Sequence, residues 1–492
     1  MRTLIQGGWV IGYAAGGHRL YRDGVVVIED DLILSVGRGY DGPADRTIDA
    51  REQIVSPGFI DAHVHSGLRL GHRLIQDAGR QDFFGQPMTH YTMARAGTTI
   101  PYEAEELSAR YTIAELLRNG TTTFLELGGL YFKPTGEMQS GLDQQVEATG
   151  RLGLRGYLGP GFQSARRVAD SEGRLNFVWD EAHGREELAA AREWLLRNDG
   201  RFDGRVRGLI APEGMDDVSL ELYRETRALA NELHLPITTH AAYNVIEFQQ
   251  TVLRYRMTPI EVLHAAGLLG PDLVIGHCNF VAENRLTNYA GGRDLELLAE
   301  SGATVSHCPI NLMRRGRSLD NWDRYRKAGV RMALGTDTWP RDMIMQMRSA
   351  SYMAKVLTGS YLAAPASDVF TAATVGGADA LGRPDLGRLA PGAKADVLII
   401  NTPGLRWGAV HDPVKHLVDC GIGDDVDTVM VDGLIRMEHG RIPGVDLESL
   451  RREAQRAGEE FWARVPEWDP LNRSVEEVTP WSFPLDNQAQ DK

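Results

Sequence analysis

The chain has 492 residues, 42% of them hydrophobic, which suits one large domain with a satellite or two to three ordinary domains. A formal net charge of −14 argues against a nucleic-acid groove, because phosphate binding needs a basic face. Three cysteines, Cys278, Cys308 and Cys420, form no CxxC pair and no disulfide framework, and they fit a reducing compartment.

The opening run MRTLIQGGWVIGYAAGG is broken by glycines and lacks the apolar core and cleavage site of a signal peptide. No apolar stretch reaches the roughly 18 residues of a membrane span. A cytoplasmic enzyme without nucleic-acid or membrane partners is expected. Val25 to Val36 reads as two β-branched runs around an acidic turn, hence a hairpin. After Pro57-Gly58 an apolar strand starts at Phe59, and strand-like and helix-like segments then alternate. The strand candidates after Phe59 are Thr121 to Leu127, Leu154 to Gly159, Val206 to Ala211, Pro236 to His240, Leu273 to His277, Ala303 to His307 and Arg331 to Asp337. Eight β–α units over about 280 residues predict an α/β fold, a (β/α)8 TIM-like barrel, ahead of a doubly wound open sheet.

Beyond the barrel, Asp368 to Leu381 is expected to be helical, and TVMVDGLIRMEHGRI to be a hairpin around Asp432-Gly433. The late strands match the early ones in style, so both chain ends are expected to form one small β-sandwich. The predicted division is 1–57 plus 385–443 for that satellite, 58–384 for the barrel, and 444–492 for a C-terminal helix with a frayed polar tail. The glycine-rich start has no strand–loop–helix context, which excludes a nucleotide-binding reading.

The chemistry sits at strand ends. His63 and His65 are two residues apart, so both imidazoles leave one face of the first strand and can reach one metal ion. His240, His277, His307 and Asp337 close the fifth to eighth strands. A parallel barrel gathers such C-terminal ends into one site. Imidazole and carboxylate suit zinc or another divalent transition ion, with an open position for water. Such an ion lowers the pKa of water toward about 7. Asp337 is the candidate base and His277 the group that steers the water or stabilises developing charge. The loop from Ser66 to Pro101 holds Phe84, His90 and Tyr91. With His307, Trp339 and Arg341, it is expected to line the substrate pocket. Cys278 and Cys308 are one residue out of phase and should point away from the site.

PGFIDAHVH, His240, His277, SHCP at 306–309, GTD at 335–337 and LAPGAKADVLII together resemble the amidohydrolase superfamily. The branch with cytosine and guanine deaminases and s-triazine hydrolases is the most similar. The resemblance covers about residues 3 to 440. It implies one metal ion held by His63, His65, His240 and Asp337, zinc first, with iron, cobalt or manganese as alternatives. It also implies His277 in the water-orienting role. Two positions depart from the pattern. Deaminase-like members carry a glutamate three residues after the fifth-strand histidine, where this chain has Tyr243; and the fourth strand ends in APEGMDD, with Glu213 in place of a histidine motif. Glu213 or Tyr243 is expected to take over part of the lost proton transfer.

Without that glutamate, the expected reaction is hydrolysis of a C–N bond, or a C–S or C–halogen bond, in a small molecule such as an amide, carbamate, thiocarbamate or urea. The alternative is an aminohydrolase of a purine, pyrimidine or triazine ring. A non-catalytic ligand-binding barrel is the alternative of a different class. A homo-oligomer is expected, since a satellite sheet and a terminal helix offer surfaces.

Overall fold

A computed structural model describes residues 1–65, 94–95, 105–128, 135–169, 175–469 and 471–485. The two chain ends meet in one seven-stranded sheet. Arg46–Pro57 lies at its centre, and Arg2–Ala14 beside it runs parallel to that strand and antiparallel to Gly17–Glu29. Val397–Asn401 returns from the far end of the chain to pair antiparallel with Arg46–Pro57, and Val426–Val431 and Leu434–Met437 extend that edge. Alternating β-branched residues supply the common core, including Ile5, Val10, Val26, Ile28, Val55, Val397 and Ile399. Both expected hairpins are present. The second turns on Asp432 (φ 50°) and Gly433 (φ 72°), the pair of positive φ values that a two-residue hairpin turn needs.

The middle of the chain forms two parallel sheets. One joins Phe59–Val64, Thr121–Gly128, Arg155–Phe162 and the short pieces Val206–Gly208 and Ala211–Pro212. The other joins Ile237–Ala241, Leu273–His277, Thr304–His307 and Arg331–Leu334. Helices such as Glu105–Arg118, Glu181–Asn198 and Leu220–Leu233 connect successive strands. Nearly every strand residue is buried, as expected for parallel strands with helices on their outer face. The two sheets touch along both edges. Backbone bridges pair Ile210 with Ile237 and Gly214 with His240 on one side, and Val64 with Asp337 on the other.

Two local readings need correction. The segment from Asp368 to Leu381 is two short helices, Ala366–Ala372 and Val375–Ala380. Thr374 breaks them: its Oγ1 donates to the Phe370 carbonyl at 2.7 Å and its backbone is not helical. The eighth strand stops at Leu334, short of the expected Asp337, which leaves the extended conformation with φ 62°. The terminal helix, Leu447–Ala463, is present and is capped by Asp446, which accepts from the amides of Glu448 and Ser449. Residues 486–492 of the tail lie outside the described residues. Among the described residues, no helix is long and apolar enough to cross a membrane.

A buried ion cluster joins the terminal sheet to the parallel strands. Arg155, which opens the third parallel strand, donates to Asp432 at 2.7 Å and to Asp396 at 3.3 Å. Arg155 and Asp396 are almost fully buried. Removing the cation leaves a buried carboxylate uncompensated, which costs about 3 kcal/mol. Arg155→Met should therefore lower the unfolding free energy by about 3 kcal/mol, read as a lower denaturant midpoint at unchanged slope, without changing the described site; an unchanged midpoint would contradict this role.

Candidate metal centre

His63 and His65 lie at the end of the strand Phe59–Val64, and both are buried. His240 is the penultimate residue of Ile237–Ala241, His277 closes Leu273–His277, and Asp337 lies three residues past Arg331–Leu334. Ligand atoms of His63, His65 and His240 all lie within 4.8 Å of one another, and so do those of His63, His277 and Asp337. His63 therefore belongs to both groups. It fits because glycines make room for it. A Cβ on Gly276 would come 2.7 Å from His63 Cε1, and a Cβ on Gly335 would come 2.7 Å from His63 Cβ.

Carbonyl partners fix two tautomers. His65 Nδ1 lies 2.9 Å from the Leu127 carbonyl oxygen, and His240 Nδ1 lies 2.6 Å from that of Glu213. A carbonyl only accepts, so each Nδ1 carries the proton and each Nε2 carries a lone pair. These two Nε2 atoms face each other at 3.1 Å. Two neutral acceptors at that distance cannot hydrogen-bond, so the geometry asks for a cation between them. The other ring atoms agree. Both nitrogens of His63 and Nδ1 of His277 are sealed from solvent without a hydrogen-bond partner.

Burial keeps the imidazoles neutral. It lowers His63 and His240 well below the usual histidine range, with help from the neighbouring histidines, and lowers His277 to about 3. Neutral imidazoles and a carboxylate are the donor set a divalent ion requires. Asp337 stands beside them: Oδ1 is 3.7 Å from His65 Nε2, and Oδ2 is 3.6 Å from His277 Nε2. The backbone is bent to achieve this. His277 (φ 84°), Cys278 (φ 46°) and Asp337 (φ 62°) all occupy the left-handed region, where a non-glycine residue is strained.

The two departing positions adjoin the cluster. Glu213 is buried, with a carboxylate oxygen that a Cβ on Gly161 would meet at 3.3 Å, so it lies at the ends of the third and fourth strands. Tyr243 directs its hydroxyl elsewhere, donating to Asp216 Oδ2 at 2.7 Å. Glu247 supports the turn from below: it accepts from the amides of Ala242 and Tyr243, and burial together with Asp216 pushes its carboxyl up to about 8. His307 is buried at the end of the seventh strand, 6.1 Å from the Trp322 ring, and burial lowers it to about 3. It shares neither ligand group. Trp339 is half-buried and carries the Arg314 guanidinium 4.4 Å above its ring. Phe84 and His90 lie outside the described residues. Cys278 and Cys308 are buried free thiols.

Three residues act as positioning groups; Asp61 and Asn311 were not anticipated, and Arg341, expected in the pocket lining, instead holds backbone. Asp61 is fully buried and accepts from the Thr336 amide at 2.9 Å and its hydroxyl at 2.5 Å, tying the first strand to the Gly335–Asp337 turn. Burial pushes its carboxyl up to about 7 against those bonds. Its signal was the period of two, since Asp61, His63 and His65 share one strand face. Asn311 donates its side-chain amide to Asp337 Oδ2. Arg341, buried beside Glu115, donates to the His65 carbonyl at 2.9 Å.

Similarity to known proteins follows this geometry. A family model described as "Amidohydrolase family" matches residues 54–436. The 5'-deoxyadenosine deaminase of Methanosarcina barkeri is 29% identical over 90% of this chain and 95% of its own. The 5-methylthioadenosine/S-adenosylhomocysteine deaminase of Thermococcus onnurineus is 32% identical over 89% of this chain and 94% of its own. Among solved structures, a zinc-bound adenosine deaminase from Xanthomonas campestris has a TM-score of 0.74 at 21% identity, covering 93% of this chain and 98% of its own. A zinc complex of atrazine chlorohydrolase from Arthrobacter aurescens TC1 has a TM-score of 0.74 at 22% identity, covering 92% and 99%. At these identities the structures speak for the fold.

Outer contacts to metal-site groups typically contribute 10–100-fold to metal affinity. Asp61→Ala should therefore weaken zinc binding by about 10- to 100-fold in chelator competition, with the circular dichroism spectrum retained. Unchanged zinc affinity would show that the Asp61–Thr336 tie does not position the ligands.

Proposed function

Because this chain belongs to the amidohydrolase family, we propose that it is a mononuclear metal-dependent hydrolase that releases ammonia from an amino-substituted purine ring. The hydrolase reading is carried by the facing lone pairs of His65 and His240 beside His63 and Asp337. The substrate reading draws on similarity, along about nine-tenths of the chain, to deaminases of adenine nucleosides. That similarity favours ring deamination over the amide, carbamate, thiocarbamate or urea reading made from the sequence. The amide-type reading stays second, on one observation: Tyr243 stands where deaminase-like members have a glutamate, and its hydroxyl is given to Asp216.

His63, His65, His240 and Asp337 would hold one divalent ion, zinc in the first instance. When bound, it supplies Lewis-acid polarisation and makes water nucleophilic at neutral pH. The side chains divide the remaining work. Asp337, held by the Asn311 amide, takes a proton from the attacking water on a carboxylate oxygen. His277 orients that water and the developing oxyanion. Glu213 delivers a proton to the departing nitrogen. Asp337 passes its proton to the adjacent ring nitrogen, and Glu213 recovers the proton left on the new hydroxyl, so water and an N=C–NH2 unit become HN–C=O and ammonia. His307 and Trp339 would wall the substrate space.

For the domains we propose 58–384 as a closed eight-stranded barrel, 1–57 with 385–443 as its satellite sandwich, and 444–492 as an appended helix and tail. Backbone bridges on both edges of the two parallel sheets, and the sheet shared by both chain ends, support this division.

Zinc-loaded protein should release one ammonia per turnover from 5'-deoxyadenosine or 5-methylthioadenosine. Silence on aminopurines alongside turnover of an amide or carbamate would replace the primary reading with the second. Glu213→Gln should lower kcat at least about tenfold with metal content unchanged; near-normal turnover would remove Glu213 from the mechanism.

A further inference from the structure

The His277 ring has nothing of its own to aim it. His65 and His240 each lock their ring through a bond from Nδ1 to a backbone carbonyl. His277 Nδ1 is sealed from solvent and has no hydrogen-bond partner among the described residues. The ring therefore points where its backbone points it. That backbone is held in an unfavourable form. His277 (φ 84°) and Cys278 (φ 46°) are consecutive non-glycine residues in the left-handed region. Such a pair persists only where its neighbours over-determine it.

Those neighbours can be followed bond by bond. The Cys278 amide donates to the Ala241 carbonyl at 3.1 Å, and the Phe280 amide to the Ala242 carbonyl at 2.8 Å. The turn after the fifth strand is thus the template for the turn after the sixth. It is bent in its own right, with Ala242 at φ 52°. Glu247, in the helix Val245–Tyr255, fixes it. One carboxylate oxygen accepts from the Ala242 amide at 2.8 Å and the other from the Tyr243 amide at 2.9 Å. A second side chain reaches the strained turn directly: Tyr325, in the helix Trp322–Ala328, donates its hydroxyl to the Cys278 carbonyl. Glu247 and Tyr325 are buried, at 0% and 2% exposure, and both give their polar ends to these bonds.

We propose that Glu247 and Tyr325 are positioning residues for His277: together they hold the strained turn that aims its imidazole at the attacking water. This rests on the role given to His277 above and adds the structure that enforces it. Glu247→Gln sets an NH2 group against a backbone N–H, so one of the two bonds must break. Tyr325→Phe leaves the Cys278 carbonyl without its donor at nearly unchanged volume. Either change lets the turn relax toward ordinary backbone and swing the ring, while His63, His65, His240 and Asp337 keep their own supports.

The test reads the ring and the reaction separately, on the zinc-loaded full-length protein. The chain holds 14 histidines, so carbon–proton correlation spectra of labelled histidine Cε1 positions resolve them, and His277→Ala identifies the His277 signal by its loss. Tyr325→Phe and Glu247→Gln should each shift that signal more than those of His63, His65 and His240, with zinc content retained. On a substrate that the wild type turns over, kcat should fall about tenfold or more in each variant with KM changed by less than about twofold. A His277 signal that stays in place in both variants overturns the proposal. So does a change spread equally over the four histidines, which marks general loosening of the site. If Glu247→Gln does not fold, Tyr325→Phe decides. The spectra need no substrate, so a shifted His277 signal in a protein silent on aminopurines sinks only the deaminase reading. A shifted signal with unchanged kcat keeps the positioning and removes His277 from the mechanism.

Discussion

Two imidazole lone pairs pointing at each other across 3.1 Å are the constraint around which this site is built. His65 and His240 come from strands 175 residues apart in sequence, and each has committed its other nitrogen to a backbone carbonyl. Neither ring can rotate out of the conflict without leaving a buried N–H unsatisfied. Burial also blocks the simplest escape, protonation, because a charged imidazole has no water to solvate it there. A divalent cation resolves all three conditions at once.

The surrounding structure serves that arrangement. Gly276 and Gly335 are vacant at Cβ so that His63 can enter between the sixth and eighth strands. The Asp337 amide donates to the His63 carbonyl, and the His65 amide donates to the Asp337 carbonyl, each at 2.8 Å. The seam between the first and last strands is therefore made of the ligand residues themselves. Strained backbone at His277 and Asp337 persists because packing and these bonds over-determine it. The buried cluster of Arg155, Asp396 and Asp432 lies at the opposite, N-terminal ends of the strands, so the satellite sheet is tied on where it does not crowd the chemistry.

Much of this was legible in the sequence because strand ends in a parallel sheet converge. Period-two spacing put His63 and His65 on one face, and the β–α alternation put His240, His277 and Asp337 at matching ends. The same spacing covered Asp61, but a carboxyl two residues before a ligand looks like a strand residue until Thr336 is seen beside it. Asn311 and Arg341 act across loops whose paths no periodicity encodes. The helix expected over 368–381 divides because Thr374 turns its hydroxyl onto the chain, a local competition that apolar spacing cannot register. The substrate was the least legible feature. Tyr243 removes a familiar acid, and its hydroxyl goes to Asp216, a partner on another loop that no spacing in the sequence points to.

The proposed chemistry sets two carboxyl groups, Asp337 and Glu213, about a neutral imidazole centre. Everything in it presupposes that the centre binds an ion. The most direct measurement is metal stoichiometry by elemental analysis on the full-length chain equilibrated with zinc and desalted. The account predicts about one equivalent per chain, lost when His65 and His240 are both replaced by alanine in a chain that remains folded. A folded wild-type chain that retains no zinc, or a double variant that retains a full equivalent, would contradict it.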